Sequence, residues 1–94
     1  MRIEWKNQAR EDAREILAYI SQDKPGAARE VYETIKQQVG LLSETPRIGR
    51  PGRVRGTREL VISRTPYLVA YRVTATTVTI LRVLHGARQW PKRL

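Results

Sequence analysis

Apolar positions along this chain follow two rhythms, a helical one in the first half and an alternating one in the second. Ala9, Ala13, Ile16, Leu17 and Ile20 recur at spacings of four, three, one and three. That is one stripe of an amphipathic helix, with Arg10, Glu11, Arg14 and Glu15 on its far face. Asn7 stands where an N-cap belongs, and Glu11 and Asp12 lie near the positive end of the helix. Asp23-Lys24-Pro25-Gly26 breaks this helix, and Pro25 suits the first turn of the next. A second stripe runs Ala28, Val31, Ile35, Val39 and Leu42. Gly40 weakens its last turn by about 1 kcal/mol relative to Ala, and Thr45-Pro46 ends it.

From Thr57 the rhythm changes. Residues 57–64, 67–73 and 77–84 are rich in Val, Ile, Thr and Tyr and read as three strands. The gaps between them are too short for a parallel crossover, so neighbours must be antiparallel. Met1, Ile3 and Trp5 alternate well enough for a short opening strand. The predicted order is β-α-α-β-β-β, an α+β single domain over 1–94 with the helical hairpin packed on one face of an antiparallel sheet. Arg58, Arg64, Arg72 and Arg82 fall within the predicted strands, so the other sheet face is expected to stay uncovered.

Charge sharpens this picture. Residues 1–45 hold seven Lys/Arg against eight Asp/Glu, whereas 46–94 hold eleven Lys/Arg against the single acid Glu59. A near-neutral scaffold thus carries a cationic half, which points to a polyanionic or acidic partner. Residues 45–56 (TPRIGRPGRVRG) concentrate Arg47, Arg50, Arg53 and Arg55 among prolines and glycines, the composition of an anion-contacting loop. The chain has no cysteine and one histidine, which removes disulfides, thiolate sites and the usual zinc sites. Met1–Gln8 contains no apolar leader core and no run reaches the length of a membrane span, so a soluble cytoplasmic protein is expected. Glycines 49, 52 and 56 do not form a phosphate-binding loop ending in Lys-Ser/Thr. Ser21, Ser43 and Ser63 lack a nucleophile-elbow context. No cofactor is implied.

The element order, the Gly/Pro/Arg loop, Tyr71-Arg72-Val73 and Arg82-Val83-Leu84-His85 together resemble the RelE/ParE toxin superfamily, over nearly the whole chain. The resemblance implies the toxin of a bacterial type II toxin–antitoxin module, a growth inhibitor linked to plasmid stabilisation. Its cognate antitoxin would fold an acidic, apolar tail onto it, and operator DNA would be contacted mainly through that antitoxin. RelE-like members are ribosome-dependent mRNA endoribonucleases; ParE-like members share the fold, lack that catalytic set and poison DNA gyrase. The Tyr-Arg-Val and Arg-Val-Leu-His elements look closer to ParE, while the basicity and the arginine loop suit a ribosome-bound nuclease. A non-toxic nucleic-acid-binding module is a third reading.

Metal-free RNA cleavage needs a base, cations for charge developing on phosphorus, and an acid for the leaving oxygen. In a RelE-like reading Arg72, Arg82 and His85 are the catalytic candidates. Strand alternation places Arg82 and His85 on opposite faces of an unbroken strand. Whether Arg72 and His85 share a face depends on the register of the last hairpin. Arg47, Arg50, Arg53, Arg55, Arg58, Arg88 and Trp90 are the candidates for contact with the target or with nucleic acid. Each also has a plainer role: solvated charge for the loop arginines, tail packing for Trp90, an ion pair for Glu59, core packing for Tyr67 and Tyr71.

Overall fold

The computed structural model describes residues 1–94. Strand β1 (Arg2–Trp5) leads into helices α1 (Asn7–Asp23) and α2 (Pro25–Gly40) and a 3-10 turn at Leu41–Ser43. Strands β2 (Arg50–Pro51), β3 (Arg58–Val61), β4 (Tyr67–Val73) and β5 (Thr77–His85) follow. They form one sheet in the order β1-β5-β4-β3-β2, antiparallel except that β1 runs parallel to β5. The expected α+β arrangement is present, with the two-residue β2 added at one edge. The parallel pair breaks no connection rule, because both helices and three strands separate β1 from β5.

The helical stripes end where the pattern puts them. Ala9, Ile35, Val39 and Leu42 meet Val69, Tyr71, Val78, Ile80 and Val83 in the core, with Ile3, Trp5, Ile16 and Val31 packed around them. Pro25 opens α2 as expected. Asn7, by contrast, is not an N-cap: it is the first helical residue, and Lys6 precedes it with no side-chain cap. The reason is pairing, since the Lys6 amide continues the β1–β5 ladder by donating to the Ile80 carbonyl at 3.0 Å. Arg64 is not in a strand either. It takes a left-handed φ of 66° in the turn that joins β3 to β4, where the Thr65 amide bonds back to the Ile62 carbonyl. β3 therefore stops at Val61.

The last hairpin has a register set by two devices. Val73 pairs with Val78 and Arg72 with Thr79. In an uninterrupted strand that register would put Arg72 and His85 on one face. However, Tyr71 pairs with Ile80 and Ala70 with Arg82, so Leu81 is an extra residue and β5 is bulged. The bulge flips every later side chain. Val83 and His85 join the helix side; Arg72, Ala70 and Arg82 start from the other.

That other face is more closed than the strand arginines suggest. Leu68, Ala70, Leu81 and Glu59 on it are all buried. The loop after β2 contributes Arg53, whose amide bonds Glu59 at 2.8 Å, and Trp90 of the tail stacks on the Arg53 guanidinium at 3.8 Å. Open positions lie at the margins, at Val61 and Arg72.

Tyr71 fastens the arginine loop to this sheet. Its hydroxyl donates to the Pro46 carbonyl at 2.8 Å and accepts from the Gly49 amide at 2.9 Å. A Cβ at position 49 would lie 2.5 Å from that hydroxyl and 2.8 Å from the Glu59 carbonyl, so only glycine fits. Burial raises the Tyr71 pKa, keeping the phenol neutral and able to donate. Tyr71→Phe leaves a buried amide and a carbonyl without their partner. It should lower unfolding free energy by about 1–3 kcal/mol in urea denaturation, with little change in m-value.

Candidate functional site

The candidate residues distribute over three places. The first is a cleft of about 320 Å³ between α1 and the end of β5, lined among others by Asp12, Glu15, Tyr19, Tyr67, Arg82, His85 and Arg88. β1 stops pairing at Ile80, so the flank of β5 beyond it has no strand neighbour. The Asp12 carboxylate fills that gap. It accepts from Arg82 Nε at 2.6 Å and Nη2 at 2.9 Å, from the Val83 amide at 3.1 Å and from Gln8 at 3.1 Å. Asp12 is 6% exposed, and its hydrogen bond raises the Arg82 pKa above the ordinary arginine value. Arg82 thus reaches around the strand edge into the same cleft as His85, although the two leave β5 on opposite faces. It arrives already neutralised.

His85 is held as a strand end. Its ring meets Tyr67 edge-on at 5.7 Å, Nδ1 accepts from the Ala87 amide at 3.2 Å, and its carbonyl accepts from Trp90 Nε1 at 3.4 Å. With Nδ1 accepting, the neutral ring carries its proton on Nε2. Arg88 is exposed at the rim. Arg72 is elsewhere: it sits opposite Thr79 while Tyr67 sits opposite His85. That five-residue step along β4 is roughly 17 Å, with the Arg72 and His85 side chains on opposite faces. The three catalytic candidates do not converge.

The second place is centred on Glu59, only 2% exposed. It pairs with Arg50 at 3.1 Å and with Arg53 at 3.5 Å, and Trp90 stacks on Arg53. Arg50, Arg53 and Trp90, expected to face a target, are joined in a stack that clamps loop and tail to the sheet. The third place holds Arg47 and Arg58 beside a smaller cleft, while Arg55 stands exposed nearby. A separate groove between the helices has Trp5, Ala13, Leu17, Tyr32 and Ile35 as its lining and Arg10, Arg14 and Lys36 as its cations. No group of three or more His, Cys, Asp or Glu residues is placed to hold a metal ion, and no helix is long and apolar enough to cross a membrane.

Asp12 is the residue the sequence reading missed. Expected only to lie near the positive end of the helix, it stands three residues after Ala9 and four before Ile16, on the buried stripe. An acid on an apolar stripe was the available signal.

A hairpin of helices on a sheet ordered β1-β5-β4-β3-β2 is the architecture of type II toxin–antitoxin toxins. The sequence model for the ParE toxin of the type II parDE system matches residues 3–90, and the chain belongs to that family. It is 45% identical over 93 residues to the toxin-named protein Y4kP of Sinorhizobium fredii, covering 99% of this chain and 96% of the relative. It is 35% identical over 86 residues to toxin RelE2 of Caulobacter vibrioides, covering 92% and 96%. Among solved structures, the chromosomal ParDE system of P. aeruginosa superposes with a TM-score of 0.83 at 28% identity, covering 90% of this chain and 95% of that one. The intact E. coli RelBE complex matches at 0.66 with 16% identity over 93% and 98%, a likeness of fold alone.

Asp12→Ala strands a largely buried guanidinium and the Val83 amide. It should cost about 3–5 kcal/mol in urea denaturation. Pairing it with Arg82→Met should recover part of that loss, because the unmatched charge goes too.

Proposed function

We propose that this chain arrests growth as a protein ligand of DNA gyrase, with no catalytic residues of its own. The observation that carries this reading is the dispersal of the groups RNA cleavage would need. Arg82 is committed to Asp12, Glu59 to Arg50 and Arg53, and Arg72 lies at the far end of the sheet from His85. Membership of the ParE family supports the same reading. The partner that neutralises it is a cognate antitoxin, in keeping with the toxin–antitoxin complexes among its structural neighbours. The α1–α2 groove supports an antitoxin segment that is acidic and apolar: its lining offers burial and Arg10, Arg14 and Lys36 offer charge pairing.

A second reading, a ribosome-dependent mRNA endoribonuclease, is favoured by the cleft that brings His85, Arg88 and Glu15 together. The two separate cleanly. Purified protein should make gyrase accumulate cleaved DNA and should slow supercoiling. His85→Ala and Arg72→Ala, with folding retained, should leave both effects within about threefold, since neither group performs a chemical step. Normal supercoiling at saturating protein, together with mRNA cleavage on programmed ribosomes that either substitution abolishes, would replace the first reading by the second.

A further inference from the structure

Arg58 is anchored but not neutralised. Its Nη1 donates to the Gly49 carbonyl at 2.7 Å and to the Arg47 carbonyl at 3.2 Å. Nε and Nη2 have no protein acceptor, and no polar side-chain atom in the molecule is buried without a partner, so these donors face solvent. They border a cleft of about 240 Å³ whose other lining residues are Arg47, Pro51, Gly56, Thr57 and Val73. The Arg47 side chain forms no hydrogen bond. Neither arginine has an ion pair, and the only acid in this half of the chain, Glu59, is occupied by Arg50 and Arg53.

We infer that Arg47 and Arg58 form a phosphate-binding site through which this protein itself grips a nucleic-acid backbone. A guanidinium oriented by two carbonyls has lost its rotational freedom before any ligand arrives, so a bidentate contact costs little ordering. The second cation, Arg47, matches the spread charge of a phosphodiester. The cleft has Val73 as its one large aliphatic wall. An acidic protein segment, which brings apolar side chains along with its carboxylates, finds little there to bury against. The +10 balance of residues 46–94 steers a polyanion toward this end of the molecule. The site is independent of the gyrase reading, since it requires only free duplex and no enzyme.

The test is binding of a short fluorescein-labelled duplex DNA to the full chain by anisotropy over a salt series. Arg47→Gln and Arg58→Gln should each weaken binding about tenfold and reduce the log–log salt slope by about one. Arg64→Gln, exposed in the turn between β3 and β4 and outside the cleft, should change affinity by no more than about twofold. The double Arg47/Arg58 variant should lose less than the product of the single losses, because both side chains hold one phosphate. Arg58→Gln also removes two carbonyl anchors, so its unfolding midpoint is measured alongside; Arg47→Gln breaks no bond and carries the test alone if Arg58→Gln unfolds. Equal losses for all three arginines would mean a diffuse field and overturn the site. Displacement of DNA by polyglutamate as readily as by polyphosphate of equal charge would reassign it to protein carboxylates. Supercoiling is not read, so either result leaves the gyrase reading to its own assay.

Discussion

The Asp12 carboxylate is the joint on which this molecule is built. β1 is four residues long and cannot cover the nine-residue β5, which leaves a buried strand flank with an amide that needs an acceptor. A helix has no backbone group to spare for that purpose, so a side chain must supply one. Asp12 does so and binds the Arg82 fork in the same act. Against an apolar substitute such a pair adds little net stability, because desolvating two charges offsets their attraction. What it adds is position. α1 slides nowhere along β5 without breaking three hydrogen bonds, and the cleft beside His85 keeps its shape.

Glu59 plays the same part on the opposite face, and the two acids together decide where positive charge ends up. Between them they neutralise Arg50, Arg53 and Arg82. The remaining cations of the second half, Arg47, Arg55, Arg58, Arg64, Arg72, Arg88, Lys92 and Arg93, form no ion pair. Among those placed by the strands and turns, none projects from the middle of the sheet. The cationic surface is a rim around a largely closed platform, not the platform itself. A rim steers an anionic or acidic partner from a distance and leaves the apolar positions Leu68, Ala70 and Leu81 to the protein's own loop and tail.

How much of this is legible in the sequence follows from range. The helical stripes and the last hairpin depend on neighbours within a few residues, and periodicity reports them directly. The helix-face identity of Tyr71 is legible for the same reason. Three features are not. The Leu81 bulge has no glycine or proline to mark it, and it alone decides that Arg72 and His85 face apart. The parallel β1–β5 pair joins the two ends of the chain, and its continuation through Lys6 displaces the N-cap expected at Asn7. The closing of the outer sheet face rests on Trp90 meeting Arg53, a contact between residues distant in sequence. The pairing of Glu59 with a nearby arginine was readable, because a lone acid among eleven cations has few other fates. The partner of Asp12 was not.

A shared fold assigns no activity by itself; the side chains it carries do that. Here β3 and β4 present Val61, Leu68 and a neutralised Glu59 on the face away from the helices, where a phosphoryl-transfer site would need free cations and a titrating pair. Placing a scissile phosphate there would require Glu59 to release both arginines, and the freed carboxylate, buried among Ala70 and Leu68, would repel the ligand. On that face Arg50 and Arg53 are engaged in holding the loop in place. What stays open on that face is Val61 at one end of the sheet and Arg72 at the other.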